Sequence, residues 1–355
     1  MRRVLLFLLL LVILGTAYMV LALFRPYRGF SSGGVYVDIP HGTSQRAIAR
    51  LLDENGVVRS RWAFEMLCRA QKRGRLEAGE YFFDHPVTAL EVYDTIANGR
   101  VYVKEFVVPE GFTMFDIAAL AESEGFLSRE EFLAAARDPS PIRDIAPGAP
   151  TLEGFLFPAT YEFPRHVSGR DLTLAMVKRF RQIWITLPAA DPAAPRSVRD
   201  VVTLASLVER ETPRPEERPH VAGVFENRLR NGQPLQCDPT VAYALMLAGV
   251  YGGKLGGSDL HFDSPYNTYQ NKGLPPGPIA NPGEAALRAV LDAPPTDDLY
   301  FVANTEGGHF FSKTFQEHNE NVARYRRLLE QSQNPPGGAA SSNPATNKSR
   351  PARLQ

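Results

Sequence analysis

The sequence predicts an α+β protein in three parts: an N-terminal transmembrane helix, a small α+β module and a larger, mainly helical domain with a β-hairpin. Three observations predict it. Residues 4–24 form an uncharged apolar run; a gapless strand-turn-helix repeat follows; and near Thr151 the pattern changes to long helices separated by loops dense in Gly, Pro, Asn and Tyr. A chain of 355 residues can hold two or more domains with their own cores. Its 39 basic and 39 acidic side chains balance, which argues against a broad electrostatic grip on nucleic acid. Cys68 and Cys237 lie too far apart in sequence to suggest a disulfide framework or a zinc site, so neither is a strong functional candidate.

The run from Val4 to Phe24 in MRRVLLFLLLLVILGTAYMVLALFRPYR has the length of a membrane span. A cleaved signal peptide is the competing reading, but its apolar region is usually about 7–15 residues and ends at an A-x-A site, which is missing here. Arg2 and Arg3 flank one end, Arg25 and Arg28 the other. The very short basic N-terminus favours residues 1–3 in the cytoplasm and the rest across the membrane.

IPHGTSQRAIARLLDENG, from Ile39 to Gly56, aligns without a gap on VPEGFTMFDIAALAESEG, from Val108 to Gly125. Each copy reads as a strand, a Pro/Gly turn, a Ser44 or Thr113 helix cap and an amphipathic helix closed by glycine. Such units resemble the opening of LysM carbohydrate-binding modules, which places a LysM-like module at residues 35–130; an economical α+β unit without glycan binding is the alternative. AGEYFF and VYVKEFVV supply further strands. Helices are expected at Asp171–Leu187, Val198–Glu211, His220–Arg230, Pro239–Ala248 and Pro282–Leu291, and LYFVANTEGGHFFSK reads as a hairpin turning at Gly307 and Gly308. Residues 332–355, rich in Pro, Gly, Ser and Asn, are expected to form a disordered tail.

LASLVERETPRPEE carries two glutamates on one helix. Leu204, Val208 and Glu211 are spaced i, i+4, i+7, which puts Glu211 on the apolar stripe and Glu209 nearly opposite, as a solvent-facing or structural charge. A two-carboxylate glycosidase built from this pair is disfavoured, since its carboxyls must face one bond. Burial and the helix end before Pro213 are expected to raise the Glu211 pKa toward that of a proton donor. A buried structural glutamate is the competing reading.

LASLVERET, VFENRLRNGQPLQCDPTVAYAL, SPYNTYQNKGLPPGPIANPGEAAL and YFVANTEGGHFFSKTFQEHN, with LEGFLFPATYEF upstream, resemble the endolytic murein transglycosylases, the MltG or YceG-like family, from the anchor to about Leu329. The resemblance implies a lysozyme-like catalytic domain at residues 150–331, a single inner-membrane span and a catalytic part in the periplasm. It also implies peptidoglycan glycan strands as substrate, penicillin-binding proteins or other synthases as partners, and the second glutamate of E-R-E-T, Glu211, as catalytic residue. On this route Glu211 protonates the bond between N-acetylmuramic acid and N-acetylglucosamine, then serves as base for a 1,6-anhydro ring closure. The rival readings are a non-catalytic glycan-binding scaffold and a water-using muramidase.

Tyr266, Asn267, Thr268 and Tyr269, with Gln236 as a weaker candidate, are expected to contact sugar through amide, hydroxyl and aromatic groups; turn formation alone could explain Asn267. Asp238 and Asn281, each before a proline, read as helix N-caps. Glu153 reads as a partner to the site or a helix-end charge, and His309 as a residue that lines the cleft or, the favoured reading, forms a structural hydrogen bond. Cys237 departs from the small polar residue common in the family and is expected to change loop packing. None of the seven histidines stands in a metal-binding motif, and no phosphate loop or dinucleotide fingerprint is present, so neither metal nor cofactor is expected.

Overall fold

The computed structural model describes residues 2–71, 75–188 and 196–333. Helix α1 (Arg2–Phe24) has 23 residues, about 34 Å of rise, enough for a hydrocarbon core of about 30 Å. This long apolar N-terminal helix suggests a membrane anchor.

The chain divides into two compact units after Lys104. In the first, β1 (Val35–Ile39) pairs antiparallel with β2 (Gly79–Phe83), Val35 opposite Phe83 and Ile39 opposite Gly79. Alternation turns Val37, Ile39, Tyr81 and Phe83 inward. Helices α2 (Gln45–Glu54), α3 (Arg61–Ala70) and α4 (Ala89–Ala97) complete the unit. Ser44, Ser60 and Thr88 cap them, the last in a capping box with Glu91.

The second unit opens with β3 (Lys104–Val107) and α5 (Met114–Ser123), continues through α6 (Arg129–Ala136), and pairs β3 with β4 (Thr160–Phe163). The two copies of the repeat do share their local geometry. Gly42 and Gly111 in the turns, and Gly56 and Gly125 after the helices, all have positive φ. They nevertheless fall in different units, so the division lies inside the module expected at residues 35–130. The reason is packing: Met114, Ile117, Ala118 and Ala121 of the second copy join the core of the second unit.

That core surrounds α8 (Val198–Glu211), with α7 (Gly169–Trp184), α9 (Arg218–Arg230), α10 (Asp238–Leu247) and α11 (Glu284–Leu291) in the same unit. Every residue of α8 from Val201 to Val208 is buried, including Thr203 and Ser206. Thr203 returns its hydroxyl hydrogen bond to Arg199 O; Ser206 donates to Thr203 O and accepts from the Ile279 N–H. A helix enclosed all round is a core helix, not an amphipathic surface one. The predicted hairpin is present as β5 (Tyr300–Ala303) and β6 (His309–Ser312), followed by α12 (Phe315–Gln333). The expected tail lies outside the described residues, apart from 332 and 333, which end α12.

The expected cap at Asn281 is not found: α11 starts at Glu284, with Gly283 in the cap position. Asn281 is fully buried and joins three segments remote in sequence. Its Oδ1 accepts from the Gly154 and Leu156 N–H groups, and its Nδ2 donates to Phe112 O and Glu153 Oε1. Its backbone accepts from Gly111 N–H and donates to Phe112 O. Gly154 has φ +86°, and an added Cβ there would meet Pro278 at 2.4 Å and Val202 at 2.8 Å, so this junction accepts no side chain at that position.

Replacing Asn281 by Ala strands several buried polar groups, each worth about 1–3 kcal/mol. Asn281→Ala is expected to destabilise the second unit by at least ~3 kcal/mol. Denaturant unfolding followed at Trp184 checks this, since the other tryptophan, Trp62, lies in the first unit.

Candidate functional site

The two glutamates of α8 are separated as the helical spacing predicts, but Glu209 is covered rather than solvent-facing. The Glu209 side chain is only 5% exposed and accepts from Arg218 Nη2 at 2.6 Å and from the Gly283 N–H at 3.0 Å. Burial pushes its pKa up, against the Gly283 N–H and the Arg218 charge. Glu209 is therefore the structural charge, but not a solvent-facing one. Glu211 is only partly buried, at the C-terminus of α8. Because α8 is enclosed on every side through Val208, no single apolar stripe decides which of its last residues is covered.

Cys237 is hydrogen-bonded to Glu211, whose charge also acts on Arg228 and Tyr269. The Cys237 thiol is fully buried and hydrogen-bonded to Glu211. Burial, then the Glu211 charge and that hydrogen bond, push the thiol well above its usual range, so it stays protonated and donates its S–H to the carboxylate. Cys237 thus touches the candidate acid directly, a larger role than the loop packing expected of it. Arg228 was not singled out by the sequence. Its guanidinium is buried, donating to Leu299 O and Leu235 O at 2.7 Å each and lying 5.4 Å from the Tyr300 ring. Burial lowers its pKa, opposed by the charges of Tyr300 and Glu211.

Asp238 is not a side-chain cap; α10 begins at that residue, with Cys237 in the cap position and no capping bond. Instead its Oδ1 accepts from the Tyr269 hydroxyl at 2.6 Å. Burial, then that hydrogen bond, push the Tyr269 pKa up, with a weaker contribution from Glu211. Asp238 and Glu211 therefore both act on Tyr269.

The other predicted contacts divide by burial. Asn267 is 0% exposed, donating to Leu260 O and Phe262 O and accepting from the Tyr269 N–H. Thr268 is buried too: its Oγ1 accepts from the Cys237 N–H, its hydroxyl pairs with Thr240, and its carbonyl accepts from Gln236 N–H. Both hold the loop that carries Cys237. Tyr266 is buried against Tyr243, with ring centroids 5.2 Å apart. That leaves partly exposed Tyr269 and exposed Gln236 at the surface. Gln236 has φ +52°, the one positive value outside glycine among the described residues.

On the other side of Glu211, Thr212 donates to Glu217 Oε2 at 3.3 Å. His309 donates to the same carboxylate from Nδ1 at 2.7 Å and from its N–H at 3.0 Å. His309 is therefore a structural hydrogen-bonding residue, as expected, fixing the hairpin to the end of α8. Among the described residues no group of three or more His, Cys, Asp or Glu side chains could hold a metal ion.

Glu153 is the helix-end partner of the two alternatives. Both its oxygens accept from the Met114 N–H at 3.0 Å, the first residue of α5, and Tyr243 and Asn281 donate to it. Burial outweighs these donors and pushes its carboxyl up to about 8.

Comparison with known proteins gives one family, the YceG-like family, matched over residues 37–324. An endolytic murein transglycosylase of Bacillus subtilis (strain 168) is 35% identical over 320 residues, 86% of this chain and 88% of that protein. One of Streptococcus pneumoniae serotype 2 (strain D39) is 30% identical over 82% of this chain, which spans only 58% of that longer protein. A crystal structure of a yceG-like protein from Listeria monocytogenes is 33% identical, with TM-score 0.53 over 82% of this chain and 99% of that one.

Because the Glu153 pKa rises on folding, the folded state binds the extra proton and stability falls as pH increases. The contribution is fully present below about 4.5 and is lost as pH rises through about 8. Roughly 3 kcal/mol should disappear by pH 7. Denaturant unfolding of the second unit at pH 5 and pH 8 is expected to show this decline, and Glu153→Gln to flatten it.

Proposed function

The chain belongs to the YceG-like family of endolytic murein transglycosylases, and we propose that Glu211 serves it as acid and then as base. The observation that carries this assignment is the contrast within one helix. Glu209 has its oxygens committed to Arg218 and Gly283, whereas Glu211 has a protonated thiol as donor and acts through its charge on Arg228 and Tyr269.

Glu211 protonates the glycosidic oxygen between N-acetylmuramic acid and N-acetylglucosamine, and the bond from that oxygen to the muramyl anomeric carbon breaks. The resulting carboxylate is held by the Cys237 S–H and the field of Arg228. It then takes the proton of the muramyl 6-hydroxyl, whose oxygen bonds to the anomeric carbon and closes the 1,6-anhydro ring. Glu211 ends protonated, no water is consumed, and the substrate N-acetyl group stabilises the positive charge that develops at the anomeric carbon.

Gln236 and Tyr269 are the proposed sugar contacts, with Tyr266, Asn267 and Thr268 shaping the loop that presents them. A strained αL backbone at an exposed residue fits a side chain held out for binding. The apolar helix anchors the enzyme in the inner membrane, with the short basic N-terminus in the cytoplasm and the catalytic unit in the periplasm. Nascent strands come from a polymerase, so penicillin-binding proteins are the proposed neighbours, recoverable by mild crosslinking of the full chain.

Digestion of purified glycan strands, with products identified by mass spectrometry, tests the mechanism. Wild-type protein is expected to give anhydromuramyl ends, and Glu211→Gln to lose at least about 100-fold in rate. Reducing ends would replace the lyase by a hydrolase. No cleavage by folded, glycan-binding wild type would leave a scaffold. In the same assay Gln236→Gly, which suits the positive φ, is expected to keep stability within about 1 kcal/mol while lowering activity.

A further inference from the structure

The first unit is fastened to the membrane helix without a flexible linker. Ala22 is buried and Leu23 packs on the first unit's core, so the last turn of α1 is already part of that unit. Helices α3 and α4 pack against α1. Just past the span, Tyr27 exchanges backbone hydrogen bonds with Val87, and the Arg59 guanidinium lies 4.7 Å from the Tyr27 ring. Gly29 donates to Gly56 O at 2.8 Å. If α1 crosses the bilayer, α3 stands at the level of the lipid headgroups.

The exposed surface of α3 and its neighbour α2 has the composition of an interfacial surface. Trp62 is 63% exposed and Met66 56%, one turn apart on α3. Arg61 lies 5.0 Å from the Trp62 ring. A shallow depression lined by Arg46, Arg50, Arg61, Trp62 and Glu65 continues onto α2. Five arginines, at 46, 50, 59, 61 and 69, stand on or beside these helices against three acids, Asp53, Glu54 and Glu65, with Glu65 between Arg46 and Arg69 and Glu54 beside Arg50. Residues 25–104 as a whole carry twelve Lys and Arg against nine Asp and Glu. Tryptophan and arginine favour the headgroup region, where an amphipathic ring is half-wet and a guanidinium reaches phosphate.

We infer that α2 and α3 form a membrane-docking surface, with Trp62 and Met66 entering the interface and Arg46, Arg50, Arg61 and Arg69 holding the phosphates of anionic phospholipids. The occupant is lipid rather than glycan because the patch lies on a helix packed against the span. Docking would hold the first unit on the bilayer. The inference rests on the membrane-anchor reading of α1.

The chain contains only two tryptophans, so Trp184→Phe leaves Trp62 as its sole indole emitter. Phe keeps the ring that stacks on Phe180. The full-length variant is incorporated into nanodiscs of phosphatidylcholine alone, or with one third phosphatidylglycerol, each carrying lipid brominated near the headgroup. Co-elution with the discs reports the anchor separately; failure to incorporate would overturn the anchor reading and the docking built on it. With phosphatidylglycerol present, Trp62 emission is expected to shift to the blue and fall about twofold or more, and to do so far less without it. Arg46→Ser with Arg50→Ser should weaken that dependence on anionic lipid. Incorporated protein whose Trp62 remains unquenched in both discs would overturn the docking. Quenching equal in the two discs would overturn the assignment to anionic headgroups, and shielding of Trp62 only on addition of glycan strands would replace the lipid by glycan.

Discussion

The second unit depends on one buried amide. Asn281 has no charge, yet it joins Phe112, Gly154, Leu156 and Glu153 through a single side chain. Its four side-chain hydrogen bonds lie in the interior, where an unmet partner is expensive, so the three segments are held in one arrangement. Two residues further on, the Gly283 N–H reaches Glu209, and through Arg218 the same stretch secures the C-terminal end of α8. The position of Glu211 is thus set from its neighbours inward, by groups that have no chemistry of their own.

The neighbouring glutamates show how burial and partners divide roles that sequence makes look alike. Glu209 is removed from water and compensated by a guanidinium and a backbone donor, a combination that fixes a carboxylate in place. Glu211, partly buried, accepts from the Cys237 thiol, and its charge acts on the buried Arg228 and on Tyr269. Cys237 carries a double task there, since its backbone is fixed by Thr268 while its S–H meets the carboxylate.

The loop of Tyr266 to Tyr269 follows the same logic. Polar residues in a Pro/Gly-rich loop suggest ligand contact, but in Asn267 and Thr268 the hydrogen-bonding capacity is spent on holding the backbone. The strain that this arrangement leaves appears next to them, at Gln236, whose φ of +52° persists because Leu235 and Cys237 on either side are buried.

The sequence by itself determined the elements whose signals are local. These include the apolar span, the paired glycines and capping residues of the repeat, the bounds of α8 and the hairpin turning at Gly307 and Gly308, because spacing and turn chemistry act over a few residues. It also separated Glu209 from Glu211, since helical pitch alone does that. Which of the two is covered was decided only in the tertiary structure, because burial depends on segments more than 70 residues away, such as Gly283. The same holds for Asn281 and Asp238, whose position before proline suits a cap until Glu153 or Tyr269 offers a partner. It holds for the repeat as well: identical local geometry sends one copy to each unit, since the core that a helix joins is chosen by its packing partners rather than by its own pattern.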